Sequence, residues 1–324
     1  MAKLVDYTSG QVANYAPTPV EKYAINKYLV RDGLFNLMEF ERNGMGSNIG
    51  NIQATILKYD APTAATFRAL GEEYTVADSI ATPVTLTLKM LGGEFDTDRV
   101  MTRAFSTNPA ALDNWTEQQI GQKLNAIVNG FAYYFINGDT TSSAKQFDGL
   151  AKYFTANAGQ VDTAFDTNGG LTESNALQVE KYFNDSIAKV AIGANVVITS
   201  RKSGLPFLQA LESYRHRGIQ AIKVGDVEYK TFMGMPIITL EDSDFPSAWK
   251  TDGTDTTIPF VFARFAEDHG IRTLLPQDGA IVDIVKPEMS SGSGSVFVKN
   301  GGVEVVCCPV IEDFEVASLC FIIE

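Results

Sequence analysis

Reactive and basic side chains are scarce in this chain, and each scarcity closes off a class of function. There are three cysteines, two of them neighbours at Cys307-Cys308. The C-x-x-C spacing of a zinc site is therefore missing, and no disulfide framework can be counted. Adjacent side chains on a strand point to opposite faces, which makes this pair packing residues in a reducing, intracellular setting. The two histidines are equally uninformative as catalysts. His216 lies between Arg215 and Arg217 at a helix end, where cations suit the negative pole of the dipole, and His269 follows Glu267-Asp268 in a turn. Neither is joined to a G-x-S-x-G elbow, an H-E-x-x-H helix or a cysteine–histidine pattern. The Asp242/Asp244 and Asp252/Asp255 pairs lack the glycine and terminal glutamate of a calcium loop. No catalytic, cofactor-binding or metal-binding residue is assigned.

Positive charge is also short. Lysine and arginine number 26 against 39 acidic residues, a formal charge of −13 with a pI near 4.7. A surface that grips phosphates through counterion release needs a basic face, and none is concentrated here. Long apolar runs are absent: AYYFI falls far short of the roughly 20 residues that span a bilayer, and the amino-terminal MAKLVDYTSGQVANYAPT has no signal-peptide core. Glycine loops lack their usual context as well. GMGSNIGN at 44–51 has no buried strand before it and no lysine to close it, so a hinge is expected rather than a phosphate loop. SSGSGS at 290–295 is not followed by a helix, and a dinucleotide fingerprint fails there.

What is present is a folded chain of ordinary composition, 324 residues long, enough for two or three subdomains. The clearest element is a helix over 114–137. Trp115, Ile120, Leu124, Ile127, Val128, Phe131 and Phe135 recur in threes and fours on one face. Asn114 with Glu117 reads as a capping box, and Asn137-Gly138 as a left-handed stop. The expected length is about 35 Å.

Around this helix the chain divides. Residues 1–17 are small and polar, an arm unless another surface holds them. Thr18-Pro19 opens one or two short helices broken at Gly33. IQATILKY and VTLTLKM are strands, the second alternating cleanly with Val84, Leu86, Leu88 and Met90 on one face. The two dozen residues between them are too many for a hairpin loop, so an extended two-stranded arm is expected. Such a ribbon is marginal by itself and must lie on its own body or on a neighbouring molecule. At its far end Arg68, Glu72 and Glu73 are candidate inter-subunit ion pairs, simple solvation being the competing reading. Asp96 and Asp98 are followed at once by Arg99 and Arg103, which points to a salt-bridged surface or interface rather than a metal pair. Past a turn at INGD and the segment Phe147-Asp148-Gly149-Leu150, residues 155–170 read as loop. From Thr172 helices and strands alternate: a helix face of Ala176, Val179, Phe183, Ile187 and Val190, the strand NVVIT, the helix LPFLQALESYR, then VEYKTF, IITL and PFVFARF. That is a compact α/β unit. The last strand, LCFII, is expected to return beside the arm and the long helix.

The order of these parts resembles the major capsid protein of tailed double-stranded-DNA bacteriophages, the Hong Kong 97 fold. The residues that carry the resemblance are Phe135-Ile136-Asn137-Gly138-Asp139 with Phe147-Asp148-Gly149-Leu150, and Phe232-Met233-Gly234-Met235-Pro236, similar to an aromatic-x-Gly-x-Pro lead into a strand. The resemblance implies an α+β fold made of an N-terminal arm at 1–49 and an extended β-hairpin loop at 50–92. A peripheral domain at 93–170 and 296–324 holds the spine helix, and an axial domain spans 171–295. It implies self-assembly as hexamers and pentamers into an icosahedral virion shell, built in the bacterial host cytoplasm. The DNA is enclosed without sequence-specific binding, and no membrane is involved. Portal, separate scaffolding and decoration proteins are the implied partners, no cofactor is implied, and the chain is not expected to be an enzyme. The lysine that welds some family shells is missing, because no lysine lies between Lys58 and Lys89, so no covalent cross-link is expected. With an arm that starts almost at Met1 the chain shows no scaffold segment, so either scaffolding is a separate protein or the removed part is not in this sequence. An encapsulin-like bacterial compartment shares the implied fold, and an α/β enzyme with a hairpin lid is the rival of another class.

Overall fold

The computed structural model describes residues 22–23, 25–29, 32–42, 53–59, 67–73, 81–98, 109–167, 169–215, 220–225, 227–252, 255–266, 270–276, 281–285, 298–311 and 315–323. A π-helical turn, Ile25–Leu29, precedes the first short helix, α1 (Gly33–Leu37), and strand β1 (Glu39–Arg42). The ribbon strands β2 (Gln53–Tyr59) and β3 (Ala81–Thr87) lead into β4 (Lys89–Asp98), the long helix α2 (Pro109–Asn137), α3 (Leu150–Ala156) and β5 (Phe165–Asp166). Then come α4 (Glu173–Ala188), β6 (Val196–Ser200), α5 (Gly204–Tyr214), β7 (Gln220–Val224), β8 (Val227–Phe232), β9 (Met235–Leu240) and β10 (Thr251–Asp252). The chain closes with β11 (Asp255–Ala263), β12 (Arg272–Leu275), β13 (Val282–Val285), β14 (Val298–Val310) and β15 (Ala317–Ile323).

The described strands form three sheets. An eight-stranded sheet runs β5-β15-β11-β6-β9-β8-β7, with β10 beside β11. Both of its faces are covered, which explains why its central strands read as unbroken apolar runs. Val196, Ile198, Val261, Ala263 and Leu319 face one core. Val197, Phe260, Phe262, Cys320 and Ile322 face the other, beneath α4 and α5. In that second core the Phe183 ring meets Phe260 at 5.0 Å, Phe262 at 5.6 Å and Phe232 at 5.7 Å between ring centroids. The helix carrying Phe183 starts at a capping box of Thr172 and Asn175, and the expected face is buried at Ala176, Val179, Phe183 and Val190. Between β8 and β9, Met233 and Gly234 both take positive φ, 50° and 82°, as a two-residue hairpin turn requires.

A five-stranded sheet joins β1, β12, β14 and β13, with β4 on the other side of β14. The long helix lies on its inner face. Ile120, Leu124, Ile127, Phe131 and Phe135 are buried there as the periodicity requires. Phe131 is the hub: its ring stands 4.5 Å from Phe35, 5.7 Å from Phe147 and 6.2 Å from Phe135. The third sheet is the ribbon β2-β3 alone, antiparallel from Gln53↔Thr87 to Tyr59↔Ala81.

Several expectations change. The long helix begins at Pro109, five residues before the expected cap, so Asn114 and Glu117 lie inside it. Proline is well suited to a first helical position because its missing N–H has no partner there in any case. At 29 residues the helix is about 44 Å long. Gly138 closes it without entering the left-handed region. Gly33 does not break a helix but opens α1, whose N-cap is Asp32; the Asp32 carboxylate accepts the Leu34 and Phe35 amides at 3.0 Å. The strand through VTLTLKM is two strands, because Leu88 turns into the core where β3 leaves β2 and β4 takes up β14. Residues 155–170 hold a 3-10 turn, Ala158–Gln160, and β5.

The largest change concerns the carboxyl-terminal strand. β15 does not pair with the ribbon strands. It pairs with β11 and β5 in the eight-stranded sheet, where a strand apolar on both faces can be covered on both. Conversely β12 and β13 pair with β14, and β1 with β12, so the five-stranded sheet draws on residues expected in the amino-terminal arm and in the α/β unit. Thr18-Pro19 and the glycine-rich 44–50 lie outside the described residues.

Candidate assembly surfaces

The ribbon is held by its own ladder, and neither strand pairs with any other described strand. Its tip is ordered by local chemistry. The Glu72 amide donates to the Ala69 carbonyl at 3.1 Å, and Gly71 supplies the positive φ of 93° that the turn needs. Arg68 Nη1 donates to the Glu72 carbonyl at 2.8 Å, and the Glu72 carboxylate accepts the Ala69 amide at 3.2 Å. Arg68 and Glu72, two of the three expected inter-subunit charges, thus bond to main-chain groups of their own tip, and all three side chains are exposed. The side chains this turn displays are Phe67 and Leu70, whose relative exposures of 106% and 104% mean that no part of either is covered. Apolar residues ringed by loop polarity could have been noticed in the sequence; the charges beside them were singled out instead.

A second surface is the outer face of the five-stranded sheet. Alternation along β4 turns Met90, Gly92, Glu94 and Asp96 outward and Phe95 inward; the expected common face of Val84, Leu86, Leu88 and Met90 therefore ends at Leu88, which is buried while Met90 is exposed. Register places Val285, Gly302 and Glu94 in one row across β13, β14 and β4, and Asp283, Glu304 and Gly92 in the next. The result is a shallow groove of about 400 Å³ between Met90 and Val285. Arg99 and Arg103, expected beside Asp96 and Asp98, lie outside the described residues.

The motif at the end of the spine helix is a clip. The Gly138 amide donates to the Tyr134 carbonyl at 2.7 Å, and the Gly149 amide to the Gly138 carbonyl at 2.8 Å. Asn137 Nδ2 reaches the Asp244 carbonyl, tying the helix to the α/β unit. Lys152 bridges Asp148 at 2.8 Å and Asp139 at 3.0 Å. Asp139 also accepts the Ser142 hydroxyl at 2.7 Å and the Thr141 amide at 2.9 Å, and these hydrogen bonds hold its carboxyl well below the usual range. Asp148 feels an upward push from burial, but the Lys152 and Thr140 hydrogen bonds outweigh it and its carboxyl is lowered too. These two aspartates are structural acceptors.

Sites for chemistry are hard to assemble from the described residues. Among them no group of three histidine, cysteine, aspartate or glutamate side chains is placed to hold a metal ion, and no helix is long and apolar enough to cross a membrane. His216 and His269 lie outside them. The cysteines are free and buried; burial pushes the Cys308 thiol up to about 12 and those of Cys307 and Cys320 further, which leaves no thiolate at neutral pH. A cleft of about 520 Å³ is lined by Ser200, Lys202, Ser203, Asp242 and Lys250 among others. Its polar groups satisfy one another: the Ser200 hydroxyl donates to Asp242 and accepts the Lys202 and Ser203 amides at 3.2 Å, and Lys250 Nζ donates to the Asp242 carbonyl at 3.0 Å.

No protein-family model matches the chain, and no curated protein matches its sequence. Solved structures do match it. An encapsulin complex from Synechococcus elongatus PCC 7942 is similar at a TM-score of 0.51 and 14% identity, over 97% of this chain and 94% of that one. The capsid of a native GTA particle gives a TM-score of 0.55 at 12% identity, over 96% and 93%. Microbacterium phage Oxtober96 gives 0.55 at 10% identity, over 96% and 95%. The shared feature is the fold, of Hong Kong 97 type, along nearly the whole chain.

Proposed function

We propose that this chain is a major capsid protein, assembling as hexamers and pentamers into an icosahedral shell that encloses a phage double-stranded DNA genome. The observation that carries the reading is the ribbon: a two-stranded extension with a fully exposed apolar tip, on a fold shared with capsid and encapsulin shells. A ribbon of two strands is marginal alone, and a tip with nothing to cover it gains stability only when a neighbouring copy does. In this reading the ribbon is the extended loop, the five-stranded sheet with the long helix the peripheral part, and the eight-stranded sheet, which takes in β15, the axial part. The shell lies in the virion and is built in the host cytoplasm, with portal, scaffolding and decoration proteins as its partners. The protein acts by shape, and no side chain of it is asked to react. The acidic balance favours the role, because a shell that gripped phosphates tightly would obstruct the filling of its interior.

The encapsulin match supports a second reading, a bacterial compartment shell that encloses protein instead of DNA. One preparation tests both. The purified chain is sized and imaged, and the particle contents are digested separately with nuclease and protease. Shells protecting DNA support the capsid reading, shells protecting protein support the compartment, and a small oligomer with no shells overturns both.

A further inference from the structure

Basic residues are outnumbered 26 to 39 in this chain, yet two lysines converge where no carboxylate answers them. Both line the cleft of about 520 Å³ in the α/β unit. It lies at the carboxyl ends of the parallel strands β6 and β9, between Ser200, Asp242 and the first turns of α5. Open α/β sheets hold their ligands in the crevice outside the carboxyl ends of such strands, and roughly 300–1,000 Å³ is the usual size of a small-molecule site. The local sequence builds the walls. Gly204 lets α5 start hard against the end of β6, since a methyl group there would collide with the Thr199 side chain. Pro206 and Ala210 then form one wall and Pro259 of β11 part of another, while Phe207 and Phe245, both buried, complete the apolar lining.

The serine hydroxyls and the carboxylate of this cleft are spent on one another; its two ammoniums are not. The Ser200 hydroxyl donates to Asp242 and accepts the Ser203 hydroxyl at 3.0 Å. Lys250 Nζ uses one of its three N–H donors on the Asp242 main-chain carbonyl, and Lys202 brings a second ammonium to the same space. Among the described residues neither has a carboxylate at ion-pair distance, whereas Lys152 and Lys189 each hold an aspartate. Lys250 is half-buried, and a cation drawn out of water is ordinarily matched by an anion. We propose that the cleft binds a small organic anion with an apolar body, an aromatic carboxylate or phosphate monoester. Its charge rests on Lys202 and Lys250, and its ring lies along the Pro206–Ala210 wall. A bound anion would tie the start of α5 to the turn that carries Lys250, and so stabilise the eight-stranded sheet by mass action. Such binding is a property of the single subunit and needs no shell.

Calorimetric titration of the purified full chain tests it, with 2-naphthoate and 2-naphthyl phosphate as probes and 2-naphthamide as the neutral analogue. At least one anion is expected to bind with a Kd below about 1 mM, and the tighter of the two identifies the head group. The amide is expected to bind at least about tenfold more weakly, and so is the anion in Lys202→Gln and in Lys250→Gln, because each change removes a charge-assisted hydrogen bond. Lys181→Gln, exposed on α4, should leave the affinity unchanged. Ala210→Leu fills the cleft from a helical position and should abolish binding. The anion should also raise the melting temperature of wild type more than that of either lysine variant. Failure of both anions to bind, equal binding of the amide, unchanged affinity in both lysine variants, or binding that survives in folded Ala210→Leu overturns the site. Should Ala210→Leu fail to fold, the lysine variants and the amide decide. None of these results touches the shell reading, which stands or falls on the particles themselves.

Discussion

At Gly149 a single methyl group decides whether the end of the spine helix can close. A Cβ there would meet the Tyr134 carbonyl at 2.7 Å and the Gly138 amide and Ile136 carbonyl at 2.8 Å, all backbone and unable to step aside. Gly149→Ala is expected to cost about 1–3 kcal/mol in urea denaturation of the subunit. Gly159→Ala, with nothing within 4 Å, is expected to be neutral or slightly stabilising. The aspartates of the same clip give a pH signature. Asp139 and Asp148 have folded-state values below those of an unfolded carboxylate, so their contribution is present above the unfolded pKa and lost as pH falls through the folded one. Between about pH 5 and pH 3 the wild-type melting temperature should fall more steeply than that of the Asp139→Asn, Asp148→Asn double variant. Equal slopes would remove the clip from the acid response. Asp32 has the opposite sign. Burial raises its carboxyl above the ordinary value despite the Phe35 and Leu34 amides, so ionisation there costs stability, and the cost is relieved as pH falls through the folded value. Asp32→Asn, which still caps α1, is expected to melt at or above wild type at neutral pH, with the difference narrowing on acidification.

Among the elements, the long helix was the most legible, and the reason is physical. Its buried face keeps the helical period through Ile120, Leu124, Ile127, Phe131 and Phe135, and only a helix satisfies that spacing. Its true start was not legible, because the first turn, Pro109-Ala110-Ala111-Leu112, sets too few large side chains on a period to register. β7 went unseen for a related reason: Gln220, Ala221, Ile222 and Lys223 are all exposed, and a strand with no buried face has no alternation to show. The break at Leu88 is invisible because the apolar alternation of the sequence continues to Met90, whereas in the structure the partner strand changes and Met90 turns to the exposed face. Of the assembly surfaces, the ribbon could be read from its strand pattern and the length between the strands. The groove between Met90 and Val285 could not, since its rows come from register across β13, β14 and β4. The packing of α2 yields a direct measurement. Leu124→Ala and Phe131→Ala should each cost about 2–5 kcal/mol, whereas Gln122→Ala and Asn125→Ala on the exposed side should stay within about 0.5 kcal/mol. Similar losses at all four positions would contradict the burial described for this helix.

For the whole molecule, the apolar run LCFII announced a strand covered on both sides, yet not which sheet would cover it. That choice depends on pairing with β11, more than fifty residues earlier in the chain, and no local pattern encodes such a partner. Charge, by contrast, is a whole-chain property and could be read at once. At −13, shells titrated with short duplex DNA at low salt are expected to bind weakly, and tight, salt-sensitive binding would count against the enclosing role. Denatured shells are expected to run as a single band near 35.2 kDa; a ladder surviving reductant would reveal the covalent welding that the missing lysine argues against.

The junction at Leu88 carries a mechanical consequence. β3 and β4 are nearly one strand, 81–98, handed from the ribbon to the sheet with a single residue between them. β4 is laid against β14 over ten registered positions, Lys89↔Cys307 to Asp98↔Val298. In the proposed shell, tension on a tip held by a neighbouring copy would run lengthwise along β4 and be shared by the whole β4–β14 ladder at once, as in a lap joint under shear. Peeling would load those hydrogen bonds one at a time. Leu88, buried at the hand-over, acts as the rivet, and a shell strained from within would meet this joint in its strong direction.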